Sequence, residues 1–201
     1  MTKQRELNRK QLLAHLKKKL KKGDLIFTGF DNRGGGVTYN VYKNLVSKIQ
    51  NPKATHVGIY DGKDIVEANA ATEGTAKISL AKSIDRRDSI TFSSPKATTK
   101  QKLEALKYIK ARIGKKNFSF KRLLGSGVQS VSTKIPIPKS FDKTDEVICS
   151  SLVADAFPKL KLPKNKDRAY LTPTDLFQNV KFKKKILIER IKNSNRFKVK
   201  G

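Results

Sequence analysis

The spacing of apolar residues along the chain predicts short strands interrupted by a few helices. Leu13, Leu16 and Leu20 recur at helical intervals in a polar and basic stretch, so residues 3–22 are predicted to form an amphipathic helix. Apolar or alternating runs predict strands at 24–29, within 54–69, near 76–82, at 89–93, at 184–190 and at 195–200. Helical periods or caps predict further helices at 38–49, 103–113, 145–157 and from 172, and turn residues without a helical period predict a long loop at 126–143.

The segment ATHVGIYDGKDIVEAN (54–69) has the pattern of a β-hairpin. The dipeptide Asp61-Gly62 between two apolar runs is typical of a two-residue turn, and this register places His56 directly opposite Glu67. Opposed residues share a face of the sheet with Cβ atoms about 4.5–5.5 Å apart, so the carboxylate is expected to contact the imidazole and raise its basicity. A cross-strand polar pair with no catalytic role would give the same pattern.

Cys149, the single cysteine of the chain, lies near the start of the predicted helix 145–157. The helix dipole and a nearby imidazolium would both favour its thiolate. A cysteine, a histidine and the carboxylate that orients it form the smallest set for a thiol nucleophile, although a lone cysteine is more often a small buried apolar residue. One cysteine and two histidines cannot supply a structural zinc site without carboxylates, so we expect no metal and no cofactor.

Positive charge is concentrated at the two ends of the chain. The 201 residues carry 45 Lys and Arg against 17 Asp and Glu, a net charge of +28, and residues 1–22 and 178–201 each contribute +8. Such a surplus is typical of proteins that contact nucleic acid or an anionic membrane, although solubility alone would also account for it. We expect these basic ends to bind either kind of polyanion without sequence preference.

The sequence pattern shows neither a membrane-spanning segment nor a secretory signal. No apolar run is long enough for a transmembrane helix, and the basic N-terminal segment has no apolar stretch of the kind found in secretory signals. A single cysteine excludes an internal disulfide and suits a reducing compartment. These features favour a cytoplasmic or virion-associated protein.

Five short motifs follow one another in a characteristic order: GDLIF (23–27), THVGIY (55–60), IVEA (65–68), CSSLVADAF (149–157) and TPTDLF (172–177). Together they resemble the circularly permuted branch of the NlpC-type papain-like hydrolases, which holds the YiiX/YebB-like proteins and the lecithin–retinol acyltransferase-like enzymes. In this branch the histidine strand precedes the cysteine helix, as it does in this sequence. The resemblance spans roughly residues 23–177.

The resemblance implies an α+β, papain-like and circularly permuted fold, in which a small antiparallel β-sheet packs against the helix that carries the cysteine. It implies that Cys149 is the nucleophile, His56 the general base and Glu67 the third, polar residue of the site. Asn69, on the same face, is the substitute candidate for that third role. The family often has glutamate at the position that Ser151 occupies in this chain.

The expected function is that of a thiol-dependent hydrolase, which cleaves an amide or ester bond through an acyl-enzyme thioester. One alternative is a nucleic-acid- or virion-associated basic structural protein on a papain-like fold, and another is a lipid acyltransferase. The glycine-rich loop at 34–36 is expected to edge the cleft. We expect three parts: a basic amphipathic helix (1–22), the hydrolase domain (23–177) and a basic C-terminal extension that packs on the domain as strands (178–201).

Overall fold

The structure combines eight strands and six α-helices in the residues that it describes. It is a computed structural model, which describes residues 4–29, 54–86, 89–131, 136–138, 145–160, 162–163, 167–191 and 194–201. The strands are β1 (Arg5–Asn8), β2 (Leu25–Thr28), β3 (His56–Tyr60), β4 (Asp64–Asn69), β5 (Gly74–Ser79), β6 (Ser89–Pro95), β7 (Phe182–Arg190) and β8 (Arg196–Lys200). The α-helices are α1 (Arg9–Lys19), α2 (Leu80–Arg86), α3 (Thr99–Lys110), α4 (Phe120–Val131), α5 (Cys149–Ala156) and α6 (Pro173–Asn179). The helix predicted at 38–49 and the glycine-rich loop at 34–36 lie outside the described residues.

All eight strands belong to one antiparallel sheet in the order β1-β8-β7-β6-β2-β3-β4-β5. The N-terminal strand β1 pairs with β8, so both ends of the chain lie in the same part of the sheet. The α+β class agrees with the mixture of strand and helix patterns in the sequence. The sheet is larger than expected because the terminal segments supply three of its strands.

The basic N-terminal segment is divided between a strand and a helix, so the prediction of one helix over residues 3–22 is wrong. The Asn8 side chain accepts a hydrogen bond from the Gln11 N–H at 2.9 Å, and the Gln11 side chain accepts one from the Asn8 N–H at 3.0 Å. This capping box starts α1 at Arg9 and leaves the preceding residues free to pair with β8. The apolar spacing could not show that a distant strand offers hydrogen bonds to those residues.

Residues 126–131 belong to α4, so the prediction of a loop there is also wrong. Glycine and serine are weak helix formers, but close packing compensates for their low propensity in this helix. A Cβ atom at Gly125 would lie only 2.8 Å from two ring carbons of Tyr170, so the helix approaches Tyr170 more closely than any other residue type would allow. The tertiary contact, which the local sequence does not reveal, stabilises the helix.

Apolar residues pack on both faces of the sheet. On one face α3, α5 and α6 cover β2, β3 and β4, in a core that includes Phe27, Val57 and Leu152. On the other face α1 and α2 contribute residues such as Leu16 and Ile84 to a second core. No helix in the described part of the chain is long and apolar enough to span a bilayer.

Replacement of a single leucine on α1 tests whether this helix belongs to the core. Leu16 is fully buried whereas Leu13 is only partly buried, so the two positions form a matched pair on one helix. We expect Leu16→Ala to lower the free energy of unfolding by about 2–5 kcal/mol and Leu13→Ala to lower it clearly less. Urea denaturation followed by circular dichroism measures both changes. A Leu16→Ala protein as stable as the parent chain would show that α1 is a detachable arm.

Candidate active site

The helix α5 begins at Cys149 itself, four residues later than the sequence pattern predicts. Ile148 is extended, with φ −114° and ψ 167°, and its N–H donates to the Ser151 hydroxyl at 3.0 Å. Ser151 therefore takes part in capping the helix, at the position where the family that the sequence resembles often has glutamate. Cys149 occupies the first helical position, where the backbone N–H has no acceptor within the helix.

The segment that leads into α5 is held by the loop before α4. The Val147 N–H donates to the Asn117 carbonyl at 2.8 Å, and the Ser119 N–H donates to the Val147 carbonyl at 2.9 Å. A guanidinium N–H of Arg122 donates to the Glu146 carbonyl, and the Ser119 hydroxyl donates to the Glu146 carboxylate. These contacts fix the approach of the chain to Cys149, and hence the position of its sulfur.

A second arginine holds the other end of the cysteine helix. Arg168 donates to the Ala154 carbonyl at 2.6 Å and to the Pro158 carbonyl at 2.7 Å, both at the C-terminal end of α5. The roles of Arg122 and Arg168 were not predicted from the sequence. Each bridges residues that are far apart in the chain, and no spacing rule connects an arginine with a distant backbone carbonyl.

His56 and Glu67 contact each other across the hairpin. The Nε2 atom of His56 lies 2.8 Å from a carboxylate oxygen of Glu67, and their side chains are 15% and 5% exposed. The distance is that of a close ion pair, although the N–H direction at Nε2 falls outside the range of an aligned hydrogen bond. The carboxylate is therefore close enough to stabilise a positive charge on the ring.

Asn69 supports the carboxylate rather than replacing it. Its side-chain amide donates to the other carboxylate oxygen of Glu67 at 3.0 Å. Its side-chain carbonyl accepts from the Ala71 N–H at 2.8 Å, which fixes the amide in the orientation that presents its NH₂ group to Glu67. Of the two candidates for the third role, Glu67 contacts His56 and Asn69 contacts Glu67.

The hairpin register differs from the predicted one. Observed partners are Ile59 with Val66 and Tyr60 with Ile65, so the two-residue loop is Gly62-Lys63 rather than Asp61-Gly62. The cause is the Asp61 carboxylate, which accepts hydrogen bonds from the N–H groups of Lys63 and Asp64 and moves the turn by one residue. The predicted register places His56 directly opposite Glu67, whereas in the structure the two residues are not directly opposed.

The observed register displaces one strand by two residues relative to the other. Residues two apart in a strand lie on the same face, so His56 and Glu67 still share a face of the sheet. Gly58 faces Glu67, since a Cβ atom built on Gly58 would lie 3.3 Å from the Glu67 Cβ and 2.7 Å from a methyl carbon of Ile65. His56 lies two residues before Gly58 and reaches Glu67 diagonally. Glycine at position 58 leaves the space for this diagonal contact, a function that the sequence analysis did not assign to it.

Cys149 lies against the strand that carries His56. Its sulfur lies close enough to the His56 ring and to the Val57 N–H for both groups to stabilise the thiolate and lower the pKa of Cys149. Because Nε2 faces Glu67, the ring nitrogen left for the sulfur is Nδ1. As whole residues, Cys149 is 7% exposed and Glu67 is 4% exposed, so the cysteine and the carboxylate are both largely shielded from water. The structure thus brings together the three residues that the sequence analysis assigned to the site.

The electrostatics of the site favour a charged cysteine–histidine pair. Burial by itself lowers the pKa of His56, but the negative charges of Glu67 and Cys149 outweigh it and raise that pKa to about 10. Burial likewise raises the pKa of Cys149, but the His56 imidazolium and the Val57 N–H outweigh it and lower that pKa below its ordinary value. Both shifts favour the thiolate–imidazolium form of the pair, which is the state that a nucleophilic cysteine requires.

Comparison with known proteins gives no family for this chain. No family model matches it, and no curated protein matches it either. Within the described ranges, no group of three or more His, Cys, Asp and Glu side chains gathers in a way that could hold a metal ion.

The pH dependence of Cys149 alkylation tests the coupling between the cysteine and the histidine. At pH 7 we expect iodoacetamide to label the parent chain about tenfold or more faster than the His56→Ala variant. Without the imidazolium, the thiol pKa should return to about 8.5 or above, and the lower nucleophilicity of a low-pKa thiolate offsets only part of this effect. His15→Ala, which alters the only other histidine, is the matched control and should label as the parent does. Parallel rate–pH profiles for the parent and His56→Ala would mean that the pair is uncoupled.

Proposed function

We propose that the protein is a thiol-dependent hydrolase that cleaves an amide or ester bond through an acyl-enzyme thioester on Cys149. The observation that carries this proposal is the buried arrangement in which His56 lies between the Cys149 sulfur and the Glu67 carboxylate. A structural polar pair would need no thiol beside it, and a buried apolar cysteine would need no imidazole. The combination supports a nucleophile with its base and an orienting carboxylate.

In the proposed reaction, the Cys149 thiolate attacks the carbonyl carbon and forms the carbon–sulfur bond. The oxygen of the tetrahedral intermediate becomes negatively charged and accepts a hydrogen bond from the Cys149 N–H at the start of α5. The intermediate collapses and breaks the bond to the amine or alcohol, which leaves with a proton from His56. The thioester and a neutral imidazole remain.

Water then resolves the thioester. His56 takes a proton from the attacking water, the carbon–sulfur bond breaks, and the carboxylic acid leaves while the thiolate–imidazolium pair is restored. Glu67 remains ionised throughout and compensates the positive charge on the ring whenever His56 is protonated. Asn69, by holding Glu67, keeps that carboxylate directed at Nε2.

The order of elements supports a papain-like fold of the circularly permuted kind. The histidine strand β3 and its partner β4 precede the cysteine helix α5 in the chain, and α5 packs on the same face of the sheet as the core of β2–β4. This order agrees with the five motifs that resemble the permuted NlpC-type hydrolases. We propose that residues 23–177 form this hydrolase unit.

The proposal is tested by capture of the acyl-enzyme. The full chain is incubated with activated acyl donors of three classes, namely peptide esters, fatty esters and amides, and its intact mass is recorded after rapid acid quenching. We expect one acyl adduct that maps to Cys149, is sensitive to hydroxylamine, and decays with release of the acid when water is the acceptor. Cys149→Ser, which keeps the shape of the side chain, should carry no thioester. Failure of all three donor classes to acylate Cys149 would contradict the proposal.

Turnover of whichever donor reacts then separates Glu67 from Asn69. Glu67→Gln keeps the shape but loses the charge that stabilises the imidazolium, and it should lower kcat by about 10²–10⁴. Asn69→Ala removes one hydrogen bond to that carboxylate and should cost about tenfold or less. Circular dichroism should show both variants folded. A larger loss in Asn69→Ala than in Glu67→Gln would exchange the roles assigned to these residues.

A further inference from the structure

The two basic ends of the chain meet in the fold. Strand β1 pairs with β8, and β8 pairs with β7, so residues from both ends form three adjacent strands at one side of the sheet. Helix α1 follows β1 directly and packs back over this side, where Leu12 and Leu16 contact the core that contains Ile186 and Phe197. The described parts of two segments that each carry +8, and that are far apart in sequence, thus pack together.

The C-terminal end of α1 lies at the same end of the sheet as the start of β7. Lys19 and Leu20 line one shallow depression together with Ser94 and Ile186. At the same place the Lys96 N–H donates to the Lys181 carbonyl at 2.9 Å, which ties the end of β6 to the residue before β7. The last turn of α1, the end of β6 and the beginning of β7 are therefore neighbours.

Exposed lysines are concentrated at this end, which we call the lysine end. α1 and the turn after it contribute an exposed set: Lys17, Lys18, Lys19, Lys21 and Lys22. The end of β6 and the start of β7 contribute a second exposed set: Lys96, Lys181, Lys183 and Lys185. Nine exposed lysines thus lie at one end of the sheet. The ammonium group of Lys185 lies over the rings of Phe177 and Phe182, at 4.5 and 5.0 Å from their centroids, on the sheet face opposite α1.

Little negative charge compensates the lysine end within the described part of the chain. Asp24 lies there, but it is buried, and its carboxylate is occupied by the Lys102 ammonium at 2.9 Å and the Lys21 N–H at 3.0 Å. The β3–β4 turn packs against the Lys22 side chain and adds the half-buried Asp64 and the buried Asp61, whose carboxylate is paired with Lys77 at 3.3 Å and Lys110 at 3.6 Å. No described carboxylate forms an ion pair with any of the five exposed lysines of α1 and its following turn. Like charges held together repel one another, and solubility would be served equally well by lysines spread over the surface.

The lysine end is remote from Cys149 and His56. Strand β2 has Leu25 at one end, beside Ser93, and Thr28 at the other end, beside His56. The lysine end lies beyond Leu25, so at least the length of β2, about 10 Å, separates it from the catalytic pair. A large ligand can bind there and leave the catalytic pair accessible.

We propose that the lysine end is a binding surface for the phosphate backbone of nucleic acid. Duplex DNA carries one negative charge per about 1.7 Å of its axis, and clustered ammonium groups that displace its counterions bind it without reading the sequence. A membrane is the less suitable partner because an interfacial helix must insert its apolar face. The leucines of α1 and its C-cap pack largely into the protein: Leu12 and Leu16 are 0% exposed, Leu20 is 8% exposed and Leu13 is partly buried. The surface therefore offers charge without an apolar anchor.

The experiment compares two charge-matched variants of the full chain. The first, K17Q/K18Q/K21Q/K22Q, removes four charges from the lysine end. The control, K107Q/K115Q/K116Q/K121Q, removes four exposed charges from the region of α3 and α4. All eight positions are exposed, and glutamine is about as good a helix former as lysine, so both proteins should fold. Point changes are used because deletion of residues 1–22 would remove an edge strand and the buried leucines of α1.

Affinity for a short DNA duplex of scrambled sequence is measured by fluorescence anisotropy over a range of salt concentrations. We expect a steep log–log dependence for the parent chain. The slope should fall in magnitude by about 2–4 in the first variant and by less than about 1 in the control, because each lysine that neutralises a phosphate contributes about 0.9. Iodoacetamide labelling of Cys149 should be unchanged in both variants, which keeps this test separate from that of the hydrolase.

Three results would overturn the proposal. One is a parent chain that binds no duplex at low salt. Another is an equal change of slope in the two variants, which would mean that net charge rather than the lysine end determines binding. The last is binding to phosphatidylserine vesicles without binding to the duplex, which would assign the surface to a membrane.

Discussion

The imidazole of His56 lies between the Glu67 carboxylate and the Cys149 sulfur, in a region where an isolated charge would be unstable. A positive ring compensates both negative groups, and each negative group raises the pKa of the ring. Removal of one member therefore leaves the others uncompensated, which is more costly than the loss of the contact alone. Much of the surrounding structure serves to keep these three groups together: the diagonal hairpin contact, the start of α5 at Cys149 and the arginines at its two ends.

The cysteine–histidine pair and the exposed lysines lie in different parts of the molecule. The cysteine–histidine pair lies at one end of β2, and the exposed lysines gather beyond the other end. Because β1, β7 and β8 are strands of the same sheet as β3 and β4, a ligand held by the lysines would have a fixed position relative to the cysteine–histidine pair. A hydrolase with this arrangement would act on acyl substrates close to a nucleic acid. The hydrolase and the nucleic-acid surface are compatible, and neither requires the other.

The sequence was informative where local rules decide the structure. The Thr172 cap with Asp175, the strands at both sides of the Asp61 turn and the strands near the C-terminus all follow from short-range patterns. The exact hairpin register did not follow, because the Asp61 side chain competes for the turn N–H groups. Contacts between distant segments were also out of reach: β1 with β8, Gly125 with Tyr170, and Arg122 with the residue before Val147. The prediction that His56, Glu67 and Cys149 lie together did not depend on the exact register. The strand is displaced by two residues, so His56 and Glu67 remain on the same face of the sheet.

The most direct test of the account is an NMR titration of the His56 ring. The chain has only two histidines, so His15→Gln leaves the His56 signals alone in the imidazole region. The account predicts that the ring stays protonated well above its ordinary value of about 6.5 and titrates with a pKa of about 10. Glu67→Gln should shift the titration to lower pH, since it removes one of the two charges that stabilise the imidazolium. A His56 ring that titrates near pH 6.5 in the parent chain, unaffected by Glu67→Gln, would contradict the charged pair on which the proposed chemistry rests.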